Sequence, residues 1–226
     1  HAYLNANNYN KAIEYIESFP TRNQNLDRAY QKATALKGIE LFNKEEFPLA
    51  VEFFEKSLLF PIDPNYMAEA SFWCGEAYSI GKKYDLAIKH YQTITGFSDL
   101  RNEELVAKAR YGLGYAYFNL QQYDRSLTSF KEFVNMSAKT GPNYADGIIR
   151  LADCYYVTKS YSDALFNYKK AIQFSSVDGD YTHLQTGVIL SIQRNYREAA
   201  RELDQVIKNY PQSRFLDEAL YQRAEL

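Results

Sequence analysis

Chemistry would first be sought at Cys74 and Cys154, at His90 and His183, and at the carboxylate pairs Glu45-Glu46 and Glu103-Glu104. A nucleophilic cysteine needs a base beside it and a depressed pKa, yet both cysteines fall on an apolar helical stripe, where a thiol is core material. They lie 80 residues apart, with no CxxC or Cys/His cluster of metal-ligand spacing. His90 and His183 have no metal-spaced partner. Each glutamate pair reads as a turn or helix-start charge, because a general acid needs a pocket that the surrounding sequence does not indicate. Gly112-Leu113-Gly114 resembles part of a glycine-rich phosphate loop, but it sits inside a helical pattern and follows no strand, so packing glycines are the better reading. The expectation is a chain with no catalytic residues, no metal site and no cofactor, hence not an enzyme.

The composition narrows the class further. The 226 residues carry 26 Lys+Arg against 28 Asp+Glu, a formal charge of −2, and no local polybasic cluster. That is no footprint for a phosphate backbone, so no nucleic acid is expected as a partner. No run of about 18 apolar residues is present, so no membrane span is expected. His1-Ala2-Tyr3-Leu4-Asn5 lacks the basic-then-apolar layout of a signal peptide. With 21 Tyr and 14 Phe against 10 Gly and 6 Pro, the chain has bulky packing material and little turn chemistry for many short strands, which predicts mostly helix.

What positions these side chains is a repeat. Tyr84-Asp85-Leu86-Ala87-Ile88, Tyr123-Asp124-Arg125-Ser126-Leu127 and Tyr161-Ser162-Asp163-Ala164-Leu165 align directly. Further copies start at Tyr9, Phe47 and Tyr196, each an aromatic followed three residues later by a small side chain. The anchors are spaced 38, 37, 39, 38 and 35 residues apart, a period that belongs to helical solenoids. Nine residues before five of the anchors stands Gly38, Gly75, Gly114, Ala152 or Gly187, and that interval never varies. All length variation therefore lies in the second half of each unit, which implies a short fixed turn and a longer tolerant connection.

Both halves have helical spacing. Leu113, Tyr117 and Leu120 recur at i, i+4, i+7, as do Leu151, Tyr155 and Thr158, and in the second half Ala87, Tyr91 and Ile94. Each repeat is thus two amphipathic helices, A and B. Pro48 sits where a first-turn proline is tolerated, and Asp85 and Asp124 bring a carboxylate to a helix start. Pro20, Pro61, Pro64, Pro142 and Pro211 are expected in the long connections, with further breaks at Gly141-Pro142 and across Ser175–Asp180. The small residue of helix A is expected to face the Ala or Ser of helix B, letting the two axes approach closely.

The series Gly75-Tyr78-Tyr84-Ala87-Tyr91 resembles the tetratricopeptide repeat, and the resemblance runs over essentially the whole chain. Departures are the missing early-helix Trp, and Lys37 and Thr186 where Leu is usual. The resemblance implies an all-α, right-handed α-solenoid of about six hairpins. Its units fall at residues 1–22, 23–64, 65–101, 102–142, 143–179 and 180–212, with a final unpaired helix at 213–226. Because Tyr3 already stands at the helix-A aromatic position and the last helix lacks a partner, a piece of a longer array is expected. Asn209-Tyr210-Pro211-Gln212-Ser213 is similar to connections in bacterial envelope members of the family, the Tol-system coordinators and outer-membrane-assembly lipoproteins. Periplasm or cell envelope is the compartment this implies, with the cytoplasm left open.

The resemblance also implies a function, protein–protein interaction through a concave face lined by helix A. Residues three before, one after and four after each small residue share that face. This selects Phe72, Glu76, Tyr111, Tyr115, Phe118, Asp153 and Tyr156 as partner-binding residues, with Asn119 beside them. Aromatics would bury apolar side chains of a peptide and the polar groups would fix its register. The chaperone-type carboxylate clamp is excluded, since no helix A carries Lys-x3-Asn, and Glu76 and Asp153 would favour a cationic or neutral ligand. Two alternatives stay open: a glycan or small-molecule module that stacks ligand on the same aromatics, and an oligomerisation domain using the helix at 213–226 for self-association.

Overall fold

A computed structural model describes residues 8–96, 102–141, 143–174 and 178–226. Tyr3, Pro142 and Ser175 to Val177, which figure in the sequence reading, lie outside the described residues. The described residues form twelve α-helices and no strand: α1 Tyr9–Glu17, α2 Gln24–Asn43, α3 Phe47–Leu58, α4 Pro64–Ile80, α5 Tyr84–Thr95, α6 Glu103–Asn119, α7 Tyr123–Met136, α8 Tyr144–Val157, α9 Tyr161–Ile172, α10 Gly179–Ile192, α11 Tyr196–Asn209 and α12 Leu216–Ala224. This is an all-α repeat fold. The six anchors are each the first residue of a helix B.

The invariant nine-residue interval has a physical cause. Glu45, Lys82, Gln121, Lys159 and Arg194, each two residues before an anchor, take up left-handed backbone with φ of 62°, 56°, 59°, 63° and 62°. At four of the five the next N–H folds back onto the last turn of helix A: Glu46 to the Leu41 carbonyl (3.0 Å), Lys83 to Tyr78 (2.8 Å), Ser160 to Tyr155 (2.8 Å) and Asn195 to Leu190 (2.8 Å). This closure satisfies otherwise orphaned helix carbonyls and leaves no slack for an extra residue. None of the five residues is glycine, although a side chain there costs about 1 kcal/mol.

The chain divides into two compact units, one up to Gln121 and one from Gln122. In the first, α1 to α6 pack as successive neighbours. Phe54 and Tyr91, seven residues into their helices B, are 0% and 1% exposed. A Cβ on Gly38 would lie 2.5 Å from the Phe54 ring, and one on Gly75 2.6 Å from that of Tyr91. The helix-A glycine is therefore the floor under an aromatic ring, a contact that the sequence reading did not include. Tyr91 is floored twice, since a Cβ on Gly112 of the next helix A would come within 2.5 Å of the same ring. Burying such a ring contributes on the order of 2–3 kcal/mol. Gln31, 0% exposed, locks the α3–α4 connection by donating from Nε2 to the Asp63 carbonyl (2.9 Å) and accepting at Oε1 from the Asp63 N–H (2.8 Å). Pro64 stands at the first position of α4, not in a connection, where its missing N–H is harmless.

In the second unit, α7 to α12, Gly147 floors Phe133 (2.4 Å) and Gly187 floors Leu203 (2.7 Å). The connection after α11 folds back on α10: the Tyr210 hydroxyl lies over Gly179, Ser213 Oγ donates to Asp180 (2.5 Å), and the Phe215 and Tyr181 rings meet at 5.3 Å. Ser213 is held in this turn, so the final helix starts at Leu216 instead of 213. Gly179 and Asp180, expected in a break, already belong to α10. On α12, Ala219 is fully buried while Leu220 and Tyr221 are exposed.

Candidate functional site

In the first unit the six selected residues fall into three environments. Phe72 is buried, its ring 6.3 Å from Tyr91 and 5.2 Å from Trp73, so it is wall rather than surface. Glu76, Tyr111, Tyr115 and Phe118 are half-buried, and Asn119 is exposed. Tyr111 and Tyr115, one turn apart on α6, meet edge to face at 5.0 Å. The Asn119 amide donates to the Tyr115 carbonyl at 2.8 Å, which ties it to its own helix end.

Glu76 is built into the packing. Its Oε1 accepts from the Tyr91 hydroxyl at 2.5 Å, and Ser79 Oγ lies 3.2 Å from the same hydroxyl. Burial pushes the Glu76 carboxyl above the ordinary carboxylate range, and the hydrogen bond from Tyr91 opposes that shift. Burial, with Glu76 beside it, also raises the Tyr91 hydroxyl.

In the second unit Asp153 is 6% exposed and saturated with donors. It accepts from the Tyr168 hydroxyl (2.5 Å), the Tyr181 hydroxyl (2.8 Å) and Arg150 Nη1 (2.6 Å), and Arg150 Nε also donates to Asp146 at 3.2 Å. Burial is the largest influence and raises the carboxyl, against the pull of Arg150 and the two hydroxyls. Asp153 thus joins α8, α9 and α10 from inside, which corrects its placement on an open face. Tyr156 is half-buried with its ring 5.9 Å from Tyr161.

Across the repeats these two acids follow one rule. Where the buried ring of helix B is a tyrosine, the residue after the small position is an acid: Glu76 with Tyr91, Asp153 with Tyr168. At the same two positions stand Ile39 with Phe54, Tyr115 with Phe130 and Val188 with Leu203. In the sequence this pairing is visible only when the repeats are aligned at both positions at once. Trp73 was missed; half-buried, it packs on Phe42 at 4.8 Å.

The remaining chemistry-bearing groups are structural. Cys74 and Cys154 are fully buried, their thiols pushed up by burial to about 12 and about 11. His90 stacks on Tyr78 at 5.5 Å, and His183 Nδ1 lies 2.6 Å from Glu202. Among the described residues no group of three His, Cys, Asp or Glu could hold a metal ion, and no helix is long and apolar enough to cross a membrane.

Residues 107–140 match one tetratricopeptide-repeat model and 182–213 another. The chain carries tetratricopeptide repeats. Over 175 residues it is 24% identical to a DnaJ homolog subfamily C member 7 homolog of Dictyostelium discoideum, covering 73% of this chain and 29% of that protein. The chain thus spans less than a third of that relative's length. Among solved structures it is similar to YrrB, described as a TPR protein with an unusual peptide-binding site, with a TM-score of 0.71 at 19% identity over 96% of this chain and 97% of YrrB. A MamA structure gives 0.67 at 19% identity over 79% and 91% of the two chains, and apo RapI 0.70 at 16% over 92% and 60%. At such identities the likeness is one of fold. The tetratricopeptide departures at Lys37 and Thr186 have local explanations: Lys37 pairs with Glu40 at 3.2 Å, and Thr186 Oγ1 donates to the Thr182 carbonyl at 2.8 Å.

Proposed function

We propose that this chain is a non-catalytic interaction module that holds a segment of a partner protein on the helix-A face of its first unit. The observation that carries the reading is aromatic area left half-covered on neighbouring helices A: Trp73 on α4, and Tyr111, Tyr115 and Phe118 on α6. Large rings with part of their surface in water are the groups that anchor partner side chains most effectively. The fold likeness to YrrB, whose description names a peptide-binding site, agrees with this use of the repeats.

The test is a pull-down from extracts of the source cells with the wild-type chain beside Tyr115→Ala/Phe118→Ala. A protein retained by wild type and lost by the variant, with the melting temperature little changed, supports the face. Identical retention, or a melting temperature that collapses, shows the two rings to be packing. The envelope reading rests on the Asn209–Ser213 connection, which is engaged in folding onto α10; running the pull-down separately on envelope and cytosolic fractions tests it.

A further inference from the structure

Glu76 and Asp153 occupy the same repeat position, and each accepts from the tyrosine seven residues into its own helix B, Tyr91 and Tyr168, yet their charges are met differently. On Asp153 the charge is met from within. Arg150, three residues earlier, places Nη1 2.6 Å from Oδ2, with its guanidinium 5.8 Å from the centre of the Tyr181 ring. On α4 the residue three before Glu76 is Trp73, and no Lys, Arg or His among the described residues forms an ion pair with Glu76. Lys108, at the position that corresponds to Tyr181, is engaged with Glu104 at 2.6 Å. Glu76 is thus a half-buried carboxylate that accepts from one neutral hydroxyl, that of Tyr91, with Phe72 and Trp73 one turn earlier on the same helix.

Accepting the interaction-module reading above, we infer that Glu76 is the docking point for an arginine of the bound protein segment. The partner's guanidinium takes on Glu76 the place that Arg150 takes on Asp153, and apolar residues to either side of that arginine cover the aromatic face. Three considerations select this occupant. A partly desolvated carboxylate gains more from a charge-assisted bond than an exposed one does. Aromatic neighbours such as Trp73 favour the planar, weakly hydrated guanidinium over an ammonium. The chain itself shows the satisfied form of the site, in the same repeat frame, with arginine as the cation.

The experiment is an array of short peptides in which a central arginine is flanked by pairs of apolar residues, each beside a counterpart with citrulline, probed with three proteins. Wild type is expected to retain arginine peptides over their citrulline counterparts by about tenfold, as a charge-assisted hydrogen bond implies. Glu76→Gln, which still accepts from Tyr91, should lose that preference while keeping the apolar contribution. Trp73→Arg, which copies Arg150, should lose it by supplying the cation internally. Apolar peptides held equally with arginine or citrulline would overturn the inference and leave the interaction module standing. Arginine preference that survives Glu76→Gln also overturns it. If wild type retains no peptide and the Tyr115→Ala/Phe118→Ala pull-down changes nothing, both readings fall.

Discussion

The hydroxyl of Tyr91 donates to Glu76 across 2.5 Å, while the Tyr91 ring fills the space that a side chain on Gly75 would need. One residue thus fixes both the spacing of α4 from α5 and the direction of a carboxylate. Its fully buried ring and its polar tip have separate consequences.

The ring makes glycine obligatory on two helices. Gly75→Ala and Gly112→Ala each place a methyl within 2.6 Å of the ring, and the larger Gly75→Leu should overpack by about 1–3 kcal/mol or more in urea unfolding. Gly81→Ala is the control, because its Cβ meets nothing nearer than 3.5 Å at a negative φ, and its stability should hold or rise slightly.

The polar tip predicts a coupling. Tyr91→Phe removes the hydroxyl and leaves Glu76 half-buried without its donor, at a cost of about 1–3 kcal/mol. Adding Glu76→Ile to Tyr91→Phe recreates the Ile39 and Phe54 combination of the preceding repeat and should recover most of that loss. A double-mutant cycle reads the coupling directly; additive losses would show that the acid and the tyrosine act independently.

The left-handed turns predict gains. Lys82→Gly and Lys159→Gly relieve side-chain strain at φ of 56° and 63°, with an expected net of about 0.5 kcal/mol once the greater freedom of unfolded glycine is deducted. Lys82→Val should lose stability instead. Thermal melts of the three variants decide the matter.

Acidity should act on Glu76 and Asp153 in the less common direction. Both carboxyls are raised in the folded chain, chiefly by burial, so the folded state binds their protons more tightly than the unfolded state. Their contribution is fully present below the ordinary carboxylate value of about 4 and is lost as pH climbs through the raised folded value. Wild type measured against Glu76→Gln should therefore lose relative stability as pH rises across that interval, and a relative gain would contradict the burial argument.

The repeat was legible because it is written in spacing. Six aromatics at a regular period each open a helix B, and the constant nine-residue interval reflects a turn closed by hydrogen bonds rather than by a particular side chain. The same indifference to side-chain identity hid the turn residue, since Glu, Lys, Gln, Lys and Arg run from acidic through neutral to basic. Asp153 could not be placed from its neighbours, because the hydroxyls that hold it come from residues 15 and 28 positions further along the chain. The function of the Tyr210-Pro211 connection was obscured in a similar way: its contacts reach back to Gly179 and Asp180, more than a full helix earlier.

The five left-handed turns separate what the backbone requires from what the side chain displays. Their geometry is held by main-chain bonds to helix A, and all five residues, Glu45, Lys82, Gln121, Lys159 and Arg194, are exposed and polar. Each hairpin therefore has a position where charge can be rewritten from acidic to basic without disturbing the helices it joins. A lineage, or an engineer, can retune the electrostatic character of such an array one turn at a time while its architecture stays constant.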